Sequence, residues 1–306
     1  MFPTTLVNQL AKLSNQQNKL QNQAATGQRV QLPEDDPTAM RRVLDLQTDT
    51  QALGQYRTNI ARLQEMATAS YDGIKSIKTV SDRASEIATL ADDTKSQAEL
   101  TTYATEVTQL IQQAVQSANA TYQGDYVFGG TQNDQAAFVV VTDPVTGCVT
   151  SVTYQGNASV IEAEVAENAT ASVQVPGVNN TGSGTHGLIT DSRNGADLFN
   201  HLISLQNHLL AGDTTAIKDT DIANLSKDEE NLLYQLGNNG AIQSQLETAD
   251  AVASDQISSL GTLISREADA DIAQTLVRLS QTQTAYKAAL QSGATILNQS
   301  LMDYLR

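Results

Sequence analysis

The chain has little from which to build a compact aromatic core. Aromatic residues make up 4% of its 306 positions and tryptophan is absent. Packing must therefore rest on Leu, Ile, Val and Ala, which with the other hydrophobic residues reach 40%. A single cysteine, Cys148, excludes an internal disulfide. No uninterrupted apolar stretch approaches the ~18 residues of a membrane-spanning helix. Positive charge is also scarce: 18 Lys and Arg stand against 34 Asp and Glu, for a net charge of −16. Such a balance argues against nucleic acid or an anionic membrane as partner. The opening MFPTTLVNQLAKL is amphipathic and lacks the basic region and apolar core of a cleavable signal. If the protein leaves the cell, the expected route uses no such signal.

The residues of familiar chemistry are sparse in the same way. There is no Gly-x-Ser-x-Gly and no Gly-rich phosphate loop ending in Lys-Ser/Thr. His201 and His208 are seven apart, whereas a metal pair on a helix is usually spaced by three or four and needs a further ligand. Asp219 and Asp221 lack the Gly and closing Glu of a calcium loop. Asp269 and Asp271 would diverge on a helix. Asp35 and Asp36 stand just before Pro37, where carboxylates cap a helix start. No catalytic residue, metal site or cofactor is expected.

What the chain does have is helical periodicity at both ends. From Ile272 the positions Leu276, Leu279, Gln283, Tyr286, Leu290, Gly293, Leu297 and Leu301 recur at steps of three and four. Gln283 and Gly293 read as soft spots in this seam. A helix of about 35 residues is about 50 Å long and cannot bury one stripe against itself. Leu6, Leu10, Leu13, Gln17, Leu20 and Ala24 repeat with the same spacing near the start. The two ends are therefore expected to pair.

Between them the chain reads as nested. Gly27 closes the first helix, and a long helical pattern runs from Thr38 to about Ala91. A turn at Asp92-Asp93-Thr94 leads to a second helix from about Gln97 to Tyr122, which implies an antiparallel hairpin. From about Tyr126 to Thr190 come β-type runs at 138–141, 149–154, 160–165 and 172–175, separated by turn residues. Helical periodicity resumes at Ala196, with Gly237-Asn238-Asn239-Gly240 expected as a break. The expected fold is mainly α with an inserted small β domain at 126–190. Segments 31–125 and 191–271 would form a discontinuous rod of long antiparallel helices. Segments 1–30 and 272–306 would pair as a terminal coiled coil, mobile in the monomer.

Four segments carry a resemblance: ATGQRVQLPEDDPTAM (25–40), GDYVFGGTQ (124–132), READADIAQTLVRLSQTQTAYKAAL (266–290) and ILNQSLMDYLR (296–306). In this order they resemble the flagellin superfamily, and most closely the hook-associated proteins of the flagellar hook–filament junction. That resemblance implies a non-enzymatic structural adaptor, exported through the flagellar secretion system and located in the extracellular flagellum. Its implied partners are flagellin, the neighbouring hook-associated junction protein, an export chaperone and copies of itself in a ring. Neither nucleic acid nor membrane is among them. The subunit-interface residues would be Leu6, Leu10, Leu13, Leu20, Leu276, Leu279, Tyr286, Leu290, Leu297 and Leu301. The alternatives are a filament-forming flagellin and, in another class, a secreted coiled-coil adhesin or effector; an enzyme with its site in the β insertion is a further reading.

Overall fold

The structure is a computed structural model that describes residues 2–304, with side chains described for residues 4–295. About two thirds of the chain (66%) is helical, accompanied by a small strand-containing region. Helices α1 (Phe2–Thr26), α2 (Pro37–Leu90) and α3 (Gln97–Ala118) come first. Nine short strands follow. They are β1 (Thr121–Tyr122), β2 (Asp125–Tyr126), β3 (Phe138–Thr142), β4 (Val149–Tyr154) and β5 (Ala163–Ala166), then β6 (Ala169–Ala171), β7 (Val178–Asn179), β8 (Thr190–Asp191) and β9 (Ala196–Asp197). Next come α4 (Leu198–Ala211) and a short α5 (Thr214–Ala216) that widens into a π turn at Ile217–Asp221. Helices α6 (Ile222–Ala268) and α7 (Ile272–Tyr304) complete the chain. Two compact units result: residues 1–54 with 255–306, and residues 55–254.

Helix boundaries follow the local chemistry. Asp36 accepts the Ala39 amide at 3.1 Å and caps α2. Ser96 and Glu99 form a reciprocal capping box at the start of α3. Gly212, at φ 70°, closes α4 in the left-handed conformation that costs glycine least. α3 ends at Ala118, short of the expected Tyr122, because Thr121 and Tyr122 turn into the β1–β2 hairpin.

In the unit 55–254 the main core gathers Ile74, Ile77, Val80 and Ile87 of α2, Val107 and Ile111 of α3, and Leu202, Leu205 and Leu209 of α4. Three aromatics meet here: Phe138 lies 5.0 Å from Tyr154 and 5.2 Å from Phe199, ring centre to ring centre. A second cluster joins Ile60, Leu63, Ala67 and Leu246 to Val165 and Val173 from the strand region. The strands make small separate sheets. β3–β4 and β5–β6 are antiparallel hairpins, and β8 lies between a parallel β7 and an antiparallel β9. The run expected as a strand at 160–165 begins later and folds back at once as β5–β6. The run at 172–175 is not a strand: Val173 and Val175 are buried by side-chain packing without a ladder partner.

Two side-chain amides, half-buried Asn119 and buried Gln206, replace missing strands. Asn119 donates to the Phe138 carbonyl at 2.7 Å and accepts its amide at 2.8 Å. Gln206 makes the same paired contact with Val149, at 3.1 and 3.3 Å. A side-chain carboxamide thus satisfies backbone groups that a two-stranded sheet leaves open.

The expected break at 237–240 is overturned, since α6 runs through it without interruption. The reason lies in tertiary contacts that outweigh the weak helix propensity of Gly and Asn. Asn231, Gln235 and Asn239 recur every fourth residue on one buried face. Asn231 Nδ2 donates to the carbonyls of Gly187 and Leu188 at 3.0 and 2.8 Å. Gln235 Nε2 donates to those of His186 and Gly187, both at 3.1 Å. Asn239 Nδ2 reaches the Ala67 carbonyl on α2 at 3.1 Å. The turn that presents these carbonyls needs glycine at 187: a Cβ there would stand 2.1 Å from the Thr190 carbonyl oxygen and 2.6 Å from the Asn179 amide nitrogen.

Replacing Asn231 by Leu keeps the side-chain branching but removes the donor of the Leu188 carbonyl, while Gly187 keeps its bond from Gln235; an orphaned buried carbonyl costs about 1–3 kcal/mol. Urea denaturation should show a stability loss of about 1–3 kcal/mol. A midpoint equal to wild type would mean that water satisfies this segment.

Candidate functional site

The terminal unit is held by a clamp between two connectors. Gln28, between α1 and α2, forms an antiparallel bridge with Asp269, between α6 and α7. The Arg29 and Val30 amides donate to the Ala268 carbonyl at 2.6 and 3.3 Å, and the Ala270 amide donates to Gly27 at 2.8 Å. Gly27 holds φ 75°, which frees its carbonyl for that bond. Arg29 adds a bond from Nη2 to the Glu267 carbonyl at 2.7 Å and an ion pair with Asp36 at 3.2 Å. Arg42 pairs with Glu267 at 3.2 Å, and Lys19 with Asp35 at 2.6 Å. The Lys19 bond, followed by the Leu32 and Gln31 amides, lowers the Asp35 carboxyl below its ordinary value. Asp36 is lowered as well, first by the Ala39 amide of the cap and then by Arg29. Asp271 accepts the Gln274 amide at 3.0 Å and caps α7. Asp35, Asp36 and Asp271, noted in the sequence, therefore serve helix starts and the clamp.

Above the clamp α1 and α7 pack together. On α1 the facing residues include Leu6, Leu10 and Leu13, all half-buried, and Leu20, which is buried. On α7 the facing stripe is Thr275, Leu279, Thr282, Tyr286, Ala289 and Gly293. Thr275, Thr282 and Gly293 are the buried members of the described part of that stripe. Gly293 is a point of close approach, not a soft spot: a Cβ there would lie 2.6 Å from Leu6 Cδ2. Leu276 and Leu290, read in the sequence as part of the seam toward α1, do not face it. They are 52% and 46% exposed, together with Ile272 at 49% and Val277 at 57%. Small residues let the backbones approach on one side, which turns the large apolar residues onto an adjoining face. The side chains of Leu297 and Leu301 lie outside the described residues.

Sequence periodicity alone missed Thr275 and Thr282, because polar residues do not register as a hydrophobic stripe, and it placed Gly293 in the seam only as a soft spot. The clamp residues Arg29 and Ala268 were marked only as parts of the resembling segments 25–40 and 266–290.

In the unit 55–254 each histidine stands beside a buried aspartate. His201 Nδ1 is 2.8 Å from Asp228 Oδ2, and His208 Nδ1 is 2.7 Å from Asp221 Oδ2. Asp228 also accepts the Asp197 amide at 2.8 Å, and Asp221 accepts Ser204 Oγ at 2.8 Å. His186 Nδ1 lies 3.2 Å from Asp191 Oδ2 without hydrogen-bond alignment. Arg193 grips the same carboxylate through Nη2 at 2.6 Å. Burial tends to raise the Asp191 carboxyl, but the bonds and charge of Arg193 override it and hold the value at about 2. Among the described residues no three His, Cys, Asp or Glu side chains converge as metal ligands. Cys148 is half-buried in the turn before β4.

Burial pulls the His201 imidazole down, yet the hydrogen bond and charge of Asp228 carry the net shift upward. A folded value above the unfolded one stabilises fully below about pH 6.5 and fades as pH rises through the folded value. The urea midpoint of wild type should therefore fall from pH 6 to pH 9 more than that of Asp228→Asn. Equal falls would show that this pair does not govern the slope.

Residues 3–133 match the family model of the bacterial flagellin N-terminal helical region. A Vibrio parahaemolyticus structure described as a flagellar hook-associated protein shares the fold at a TM-score of 0.64 and 20% identity, covering 77% of this chain and 100% of that one. Bacillus cereus FlgL aligns at 0.55 and 18% identity, over 71% of this chain and 97% of that one. The flagellar junction protein FlgL from Legionella pneumophila aligns at 0.51 and 13%, over 65% and 96%. No curated protein matches the chain in sequence. The chain thus carries a flagellin-type N-terminal helical region and shares its fold with flagellar hook-associated proteins.

Proposed function

We propose that this protein is a structural adaptor of the bacterial flagellum, placed outside the cell at the hook–filament junction. It joins the hook-side junction protein to the first flagellin subunits and performs no catalysis. The flagellin-type region and the shared fold support a flagellar structural role. The observation that carries the adaptor reading is the second apolar face of α7. That helix already packs one stripe on α1, yet leaves Ile272, Leu276, Val277 and Leu290 largely exposed on other faces. Ile272, Leu276 and Leu290 lie on one side of the helix, and large apolar side chains exposed on one side are what a neighbouring subunit can cover. The ten leucine and tyrosine positions read from the sequence then fall into two groups. Leu6, Leu10, Leu13, Leu20, Leu279 and Tyr286 hold the chain's own terminal helices together as a coiled coil. Leu276 and Leu290, with Leu297 and Leu301 continuing the spacing, meet other subunits, including copies arranged in a ring. An export chaperone would cover the same face before assembly.

The flagellin-type region equally suits a filament subunit, and the two readings separate on polymerisation. Deleting the gene should leave bare hooks and shed flagellin into the medium if the chain is an adaptor. Loss of the filament protein itself would identify a filament subunit, and unchanged flagella would point to an adhesin or effector.

Changing Leu276 and Leu290 together to Ser removes apolar surface that is already half solvated in the free chain. The melting temperature should stay within a few degrees of wild type. Burial of each Leu in an assembly is worth roughly 1.5–3 kcal/mol, so motility should be lost and flagellin released. Normal swimming, or a monomer already badly destabilised, would overturn this assignment.

A further inference from the structure

The unit 55–254 contains a cleft of about 180 Å³ that none of the preceding roles uses. One wall is α2, with Arg62 and Leu63; the other is the β1–β2 hairpin, with Tyr122, Gln123, Asp125 and Tyr126. Glu162 and Gln174 complete it from the strand region. Its volume is below that of drug-sized pockets and suits one small ring.

Two independent features mark it. Arg57, Arg83 and Arg193 each pair with a carboxylate. Arg62, the remaining arginine of this unit, has none within 4.0 Å among the described residues. The second feature is Gln123, which adopts φ 54°, in the left-handed region that favours glycine. Gly124 follows at φ 99°. Asn168, the other described non-glycine residue with positive φ, is of a type that tolerates this region; glutamine has no such advantage. The two-residue turn of the β1–β2 hairpin takes a positive φ at both central positions, and here a glutamine rather than a glycine or asparagine occupies the first. Gln123 Nε2 donates to the Tyr122 hydroxyl at 2.8 Å, and that hydroxyl donates in turn to Glu65. The strained turn thereby fixes the phenol ring at the cleft wall.

The side-chain inventory selects the ligand. Asp125 and Glu162 outnumber the one guanidinium, and the whole chain carries −16, so an anion is opposed. Among the described residues no cluster offers a metal its ligands. An apolar ligand would desolvate Arg62 and the carboxylates without replacing their hydrogen bonds. A neutral polyol satisfies all of them, since its hydroxyls donate to carboxylates and accept from guanidinium and amide. Gln174 is 8% exposed and already anchored, its carbonyl accepting the Ile161 amide at 2.7 Å. The rings of Tyr122 and Tyr126 offer flat apolar surface to the C–H face of a sugar. We propose that this cleft binds a single neutral sugar residue.

The test is titration of the full-length protein with methyl glycosides of glucose, galactose, mannose and N-acetylglucosamine, followed by ligand-observed NMR. Sialic acid and a neutral dipeptide serve as competitors in class. At least one neutral glycoside should bind saturably, with Kd on the order of 1 mM. Arg62→Ala and Gln123→Gly should each weaken it by roughly tenfold or more. Gln123→Gly relieves the backbone, so its melting temperature should equal or exceed that of wild type; loss of binding then cannot be loss of fold. Absence of saturable binding by every glycoside overturns the proposal. Preference for sialic acid or the dipeptide, or unchanged affinity in both variants, overturns it equally.

Discussion

A buried carbonyl must be hydrogen-bonded, and in the unit 55–254 that requirement shapes everything around α6. The segment 186–188 lies against this helix with its carbonyls pointing inward. Leucines at 231, 235 and 239 would have made an ordinary apolar seam, and the loop would then have had no place there. Amides at those positions turn the helix face into a set of donors. The small β7–β8–β9 sheet follows from this anchorage, because its strands are two residues long and could not stand alone. Asn119 and Gln206 extend the same device to β3 and β4. A chain with few aromatics and many carboxamides thus uses polar satisfaction where other proteins use bulk.

The terminal unit is governed by distance of approach. Gly293 and the threonines at 275 and 282 let α1 and α7 close upon each other, while the backbone bridge at Gln28 and Asp269 sets their common starting point. Once the small residues face inward, helical geometry places Ile272, Leu276 and Leu290 elsewhere. The helix therefore has a closed side and an open side. The same sequence that pairs α1 with α7 leaves apolar residues exposed on α7, the surface that the proposed adaptor would use in assembly.

The histidines and their aspartates stand apart from both themes. Each pair is saturated by neighbours: Asp228 by the Asp197 amide, Asp221 by Ser204, Asp191 by Arg193. Carboxylates so engaged orient loops and helices, and seven-residue spacing of His201 and His208 on α4 sends each ring to a different aspartate on the following segments. The buried aspartates were not visible as such in the sequence, since burial of Asp is a property of what packs over it.

Much of the architecture is legible in the sequence. Long stripes at steps of three and four identified α2, α3, α6 and α7, because a helix that buries one face must repeat that face. Asp36, Ser96, Gly27 and Gly212 marked their ends or sat where ends fell, since capping is decided by residues adjacent in the chain. The hairpin β3–β4 was legible from β-branched residues between turns. Tertiary structure decided the rest. It kept α6 helical through Gly-Asn-Asn-Gly, because Asn239 finds a carbonyl on a helix distant in sequence. It denied Val173 and Val175 a strand, because no partner backbone lies beside them. It also chose which stripe of α7 meets α1. Periodicity reveals that an apolar face exists, whereas which face is covered depends on how closely two backbones can approach, and that is set by the smallest residues in the contact.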